Sequence, residues 1–155
     1  WGHNMVALNE FVLAPMTIQS PLITEVYIND QFVSKQQGSG VLVSTSTGST
    51  AMSLSAGGAI VSPSTNIMQI VPIMAHTLTS RPVITTGRDT ITLKAKLPGN
   101  RTAVEVYGDG IALQTAYPDD GDEIEIKIAK NADVVKVYRP ENWDFFNVLR
   151  DKMKW

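Results

Sequence analysis

Residues 44–58 read STSTGSTAMSLSAGG, a run of hydroxyl side chains without charge that closes on two glycines. It is too polar for a core and too regular in its small residues for a linker. Hydroxyls gathered beside Gly48 suit a polar ligand or a phosphate, because glycine lets the backbone approach closely and the first turn of a helix offers unpaired N–H groups. Ser49 reads as the N-cap of a short helix over 50–56, and Gly57 as the residue that ends it in left-handed geometry. The plainer reading is that Ser and Thr merely cap that helix and decorate a turn. Local chemistry leaves both open.

Other chemistry-bearing residues are sparse. His76 has no second ligand nearby in sequence, so it lines or braces a cavity rather than holding a metal. Arg81, just before Pro82, suits phosphate oxygens or a surface ion pair equally. Gly108-Asp109-Gly110 lies between two alternating segments and reads as a hairpin turn. There is no GxxxxGK[ST] phosphate loop and no evident set of magnesium carboxylates, so no catalytic residue and no metal ligand is assigned.

The elements that must position these residues are mostly strands. Residues 5–13 are largely apolar, and 25–28 with 31–34 flank Asn29-Asp30, a pair suited to a tight hairpin. Residues 41–45 and 67–73 are short apolar runs that fit strands buried on both faces. Residues 90–96 alternate Ile91, Leu93 and Ala95 against Thr and Lys, and the EIEIKIA run puts Ile124, Ile126 and Ile128 on one face with Glu125 and Lys127 on the other. Turns at 98–100, 108–110 and 119–122 separate strands over 103–107, 111–116 and 123–129. Short strands at regular spacing predict a mainly β fold, a two-sheet sandwich. After Pro140, Phe145, Val148, Leu149 and Met153 recur at helical spacing, so a final helix should pack one face on a sheet.

Composition bounds the rest. A chain of 155 residues with 43% hydrophobic residues is the size of one domain with a sizeable core. A formal net charge of −2 with scattered Lys and Arg gives no basic stripe for nucleic acid. No apolar run approaches the length of a membrane span, and the first residues lack a basic region followed by an apolar one. The chain has no cysteine, which rules out disulfides and thiolate chemistry and fits the cytoplasm. Trp1 is no natural initiator, so a fragment or processed chain is expected, and His3 beside it is uninformative.

The stretch GSGVLVSTSTGSTAMSLSAGG closely resembles the signature of NAD kinases, usually GDG, a short strand, then STPTGSTAYSLSAGG. Leu8-Asn9-Glu10 resembles that family's asparagine-glutamate motif, residues 72–84 (PIMAHTLTSRPVI) resemble its PxxxHTLSxRPxV segment, and FFNVLRDKMKW its closing helix. The likeness covers essentially all 155 residues but only the carboxy-terminal domain of a full kinase. It is less like the diacylglycerol and sphingosine kinases that share the sandwich. The resemblance implies transfer of a phosphoryl group from ATP or polyphosphate, with magnesium, to the adenosine ribose 2′-hydroxyl of NAD, giving NADP. The family's candidate base, the aspartate of an amino-terminal GGDGT domain, is absent here, so the chain alone is expected to be inactive.

By the same resemblance, Asn9 would bond the adenosine end of NAD and Glu10 would support the ribose. Thr47 and Thr50 would serve adenine and ribose, Ala51 would pack on the base, and Ser55 would face the second nucleotide half. Three positions depart from the pattern. Ser39 replaces an aspartate that would bind a nucleobase amine or ribose, Met52 replaces a tyrosine and Ser46 a proline, so weaker binding is expected near Ser39. A divergent enzyme or a free-standing nucleotide-binding module without catalysis both fit these departures. Self-association into dimers or tetramers is implied as well, since a sandwich without its partner domain exposes apolar surface.

Overall fold

A strand whose alternate residues are apolar buries one face, and here two such sheets close on each other. The computed structural model describes residues 4–17, 20–98, 103–119, 122–131 and 135–155. The turns expected at 98–100 and 119–122 lie partly outside the described residues, and Trp1 and His3 wholly so. Ten strands run in chain order: β1 (Glu10–Pro15), β2 (Leu22–Ile28), β3 (Gln31–Gly38), β4 (Gly40–Thr45), β5 (Ile67–Ile73), β6 (Val83–Thr86), β7 (Thr90–Lys96), β8 (Val104–Gly108), β9 (Ile111–Ala116) and β10 (Ile124–Ala129). One sheet has the order β6-β5-β4-β1-β8-β9 and the other β10-β7-β2-β3. Every pairing is antiparallel.

The main core lies between the sheets. Leu13, Val41, Val43, Met68, Ile70, Val104 and Val106 of the larger sheet meet Leu22, Val26, Ile91, Leu93, Ala95, Ile124 and Ile128 of the smaller one. On its outer face the larger sheet carries a second cluster, Val12, Leu42 and Val71, covered in part by Ala56 from the segment after β4. This explains why β4 and β5 are apolar on both faces: each is covered twice. The wet face of the smaller sheet is laced by ion pairs of Lys94 with Glu123 and Glu125, which satisfies the charged half of the alternation.

Asn29 and Asp30 both take positive φ, 50° and 62°, as the hairpin between β2 and β3 requires. The hairpin strands run longer than expected, β2 back to Leu22 and β3 on to Gly38, and the start of β1 and the presence of β6 differ further. β1 starts at Glu10 rather than at residue 5, because the N–H groups of Leu8, Asn9 and Glu10 are taken by the Asp109 carboxylate instead of a strand partner. β6, a four-residue edge strand on β5, follows Pro82 with no turn signal of its own.

The final helix, α2 (Phe145–Met153), is capped by Asp144, whose side chain accepts from the Phe146 N–H at 2.8 Å, and Lys154 closes it at a φ of 57°. Leu149 is buried and Phe145 and Met153 are half-buried, whereas Val148 is exposed, so the apolar stripe is narrower than its spacing predicts.

The crossing from β6 to β7 carries the chain from one sheet to the other, and a carboxylate ties it down. Asp89 accepts from Thr85, from Asn29 Nδ2 at 2.8 Å, and from the Thr86 N–H at 3.0 Å. Asn29 in turn accepts from the Thr90 N–H at 3.0 Å. The Thr85 hydroxyl foremost, then Asn29 and Thr86, outweigh burial and hold the Asp89 carboxyl at about 2, against an ordinary 3.8. A depressed native pKa contributes stability that is present above the ordinary value and lost as pH falls through the native one. Asp89→Asn should therefore lower the melting temperature at pH 7, and its gap from the natural chain should close as pH falls from about 4 to about 2. Thermal melts across that range test this; a gap that stays constant contradicts it.

Candidate functional site

At the end of β4 the chain leaves the sheet and turns over its outer face. Residues Gly48–Thr50 form one 3-10 turn, and α1 (Met52–Ser55) follows as a single α-helical turn. The helix expected over 50–56 is therefore broken at Ala51, whose φ of −99° and ψ of −133° are not helical. Gly57 ends it at a φ of 85°, in the left-handed region as expected.

Ser49 is not the N-cap. It lies within the 3-10 turn, fully buried, and its hydroxyl accepts the Val61 N–H at 3.0 Å while facing the carbonyls of Ser46 at 2.8 Å and Val61 at 3.1 Å. Ser53 is buried too and accepts from Gln69 Nε2 at 2.8 Å, and Gln69 Oε1 takes the Ala59 N–H at 2.7 Å. The Ser46 hydroxyl donates to the Pro63 carbonyl at 3.4 Å. Ser46 and Ser49 thus tie the loop to the segment that follows it, and Ser53 ties it to β5 through Gln69. Of the remainder, Thr47 and Ser55 are exposed and Thr45 and Thr50 half-buried.

The expectation of free N–H groups is not met at Gly48, Ala51 and Met52. The Gly48 N–H goes to Thr45 Oγ1 at 3.1 Å, the Ala51 N–H to the Gly48 carbonyl at 2.9 Å, and the Met52 N–H to the Glu10 carboxylate. Two of these donors are satisfied within the turn and a third by the Glu10 side chain.

The loop and the Asn9-Glu10 segment do converge. Thr45 donates its N–H to the Asn9 carbonyl at 2.9 Å and its hydroxyl to the Leu8 carbonyl at 2.9 Å. Gly48 sits directly on the Asn9 backbone: a Cβ there would run into the Asn9 carbonyl and stand 2.8 Å from its Cα. Only glycine permits this approach. A small pocket of about 60 Å³ lies beside this junction, lined by Asn9, Glu10 and Thr45 with Phe11 and Met68 of the core and Lys130 after β10, and residues 46–52 do not line it.

Glu10 is buried with one carboxylate oxygen lacking a hydrogen-bond partner, and the Ser44 hydroxyl at its paired position on β4 is likewise unpartnered. Burial first, then the nearby Asp109 charge, push the Glu10 carboxyl up, against the lowering effect of the Met52 N–H. Asp109 runs the other way: burial raises it, but the N–H groups of Leu8, Asn9 and Glu10 outweigh that and hold it low. In the sequence Gly108-Asp109-Gly110 reads only as a turn. A signal for its wider role is missing there, because the partners are about 100 residues away.

Thr47, Thr50, Ala51 and Met52 stand on the loop beside Asn9 and Glu10, with Met52 exposed at the rim. Ser39, His76 and Arg81 belong to a different place. Ser39 precedes β4, at the opposite end from Thr45, and its N–H donates to the Ile73 carbonyl at 2.9 Å. The His76 N–H donates to the Gln37 carbonyl at 2.9 Å, and its side chain is exposed. Arg81 turns its guanidinium to the carbonyls of Leu78 and Ser80 within its own loop. Five strand steps separate the two groups, roughly 16 Å at ~3.3 Å per residue. Among the described residues, no group of three His, Asp or Glu side chains is arranged to hold a metal, and no helix is long and apolar enough to cross a membrane.

This sandwich and its loop have known counterparts. The NAD kinase of Photobacterium profundum is 40% identical over 149 residues, covering 96% of this chain and 49% of the relative. That of Shewanella piezotolerans is 42% identical over 149 residues, covering 96% and 47%. The chain spans about half the length of the curated relatives it matches. Among solved structures, yeast NADH kinase complexed with NADH is similar with a TM-score of 0.76 and 29% identity, over 96% of this chain and 44% of that one. An NAD kinase from Archaeoglobus fulgidus in complex with ATP, at 24% identity and a TM-score of 0.68 over 81% of this chain and 46% of its own, is a likeness of fold alone. The sequence profile of the ATP-NAD kinase C-terminal domain matches residues 8–138, and the chain belongs to that family.

Proposed function

We propose that this chain is the NAD-binding part of an NAD kinase, an enzyme that phosphorylates the adenosine ribose 2′-hydroxyl of NAD to give NADP. The observation that carries the reading is the convergence of Asn9-Glu10 with the loop from Thr45 to Met52 in a family member. In this account the Asn9 amide bonds the adenosine end, where an amide can both donate and accept. Glu10 supports the ribose from below the loop, Thr47 and Thr50 present hydroxyls to adenine and ribose, and Ala51 packs on the base. Met52 supplies apolar contact at the rim. Ser55 faces the second nucleotide half.

The yeast neighbour, complexed with NADH, supports a dinucleotide as the ligand. ATP or polyphosphate is the proposed phosphoryl donor, met by parts of the enzyme outside these residues, and the cytoplasm the proposed location. Magnesium accompanies such donors, yet no acidic cluster among the described residues fits it. What this chain does is bind and orient: it holds the dinucleotide so that the hydroxyl faces an activating group elsewhere. Assembly into dimers or tetramers completes the proposal. Exposed apolar side chains such as Phe32, Ile111 and Leu113, on strands at sheet edges, support self-association.

Calorimetric titration tests the reading. The chain should bind NAD, and Asn9→Ala should weaken it by roughly three- to tenfold, the worth of one or two neutral hydrogen bonds. No heat from NAD at millimolar concentration contradicts it. Gly48→Ala should be costlier, roughly tenfold or more, because its Cβ displaces the Asn9 backbone itself. An NADP-forming assay on the isolated chain should show no turnover; turnover would mean that the activating group lies within these residues.

A further inference from the structure

We propose that Asp109 is a positioning residue for the ligand site: its carboxylate, delivered by the turn between β8 and β9, clamps the backbone of residues 8–10 and fixes the direction in which Asn9 is presented. This deepens the nucleotide-binding reading above and rests on it. Asp109 Oδ2 accepts the Leu8 N–H at 2.7 Å, and Oδ1 accepts the N–H groups of Asn9 at 2.7 Å and Glu10 at 3.2 Å. In return the Asp109 N–H donates to the Glu10 carbonyl at 3.1 Å. From the other side, Thr45 takes the carbonyls of Leu8 and Asn9. The peptide units on both sides of Asn9 are therefore bonded, and the residue cannot turn without breaking one of them.

The hairpin itself does not need a carboxylate. It needs a residue at φ 50° followed by a glycine at φ 79°, and asparagine or glycine meets the first condition as well as aspartate. What aspartate adds is charge: bonds to an ionised acceptor are roughly twice as strong as neutral ones. Three consecutive N–H groups, otherwise left without strand partners where β1 begins, are satisfied by a single side chain. The low-held Asp109 carboxyl described above agrees with this, since the clamp favours its ionised form.

Asp109→Gly keeps the left-handed turn while removing the clamp, and Asp109→Asn keeps one acceptor oxygen. Amide hydrogen exchange at Leu8, Asn9 and Glu10 should be roughly tenfold or more faster in Asp109→Gly, with the ladder amides of β8 and β9 unchanged. In calorimetric titration with NAD, Asp109→Gly should bind roughly tenfold more weakly than the natural chain, and Asp109→Asn should recover part of that loss. A role confined to hairpin stability would move neither the three amides selectively nor the affinity in that order. Unchanged exchange at residues 8–10 overturns the clamp, and equal NAD affinity of the Gly variant and the natural chain overturns its bearing on the ligand. If the natural chain takes no NAD while the exchange still depends on Asp109, the nucleotide reading of the site falls and the ligand part of this inference with it, leaving only a structural clamp.

Discussion

The close approach of Gly48 to the Asn9 backbone is the contact on which the candidate site depends. Two segments 39 positions apart touch there without an intervening side chain, and Thr45 bonds both carbonyls of the Leu8-Asn9 pair. Every other feature of the site follows from that juxtaposition. It places Glu10 beneath the start of α1, beside the small pocket lined by Asn9, Thr45 and Lys130.

The sandwich gains its rigidity at the same end. β4 is buried on both faces, by the smaller sheet within and by the loop and α1 without, so the loop begins from a deeply buried strand. Buried serines then fasten the loop down: Ser49 to Val61, and Ser53 through Gln69 to Ala59. A binding loop so held loses little freedom when a ligand arrives, and this is the physical case for preorganisation. Ser46 adds to this bracing, offering its carbonyl to Ser49 and its hydroxyl to Pro63.

Strands were legible where alternation or turn chemistry was strong. The Ile124, Ile126 and Ile128 face, the buried runs of β4 and β5 and the Asn29-Asp30 hairpin all stand where their residues predict. β6 escaped because a four-residue edge strand after a proline carries too little pattern. The hydroxyl run was legible as a place but not as a mechanism: Ser49 looked like a cap and is instead a buried brace, since local propensity cannot show that Val61 comes back to meet it. Asp109 was hidden for the same reason. A glycine-flanked aspartate has a sufficient local explanation as a turn, and nothing local reveals that its carboxylate faces the chain's first strand.

The central claim is that Asn9-Glu10 and the Thr45–Met52 loop form one shared nucleotide pocket. Backbone amide chemical shifts of the chain, followed while NAD is added, test it most directly. The account predicts that residues 8–10 and 45–52 shift together, along one saturating curve. Saturable shifts confined to another part of the sandwich, with both of these segments silent, would contradict it.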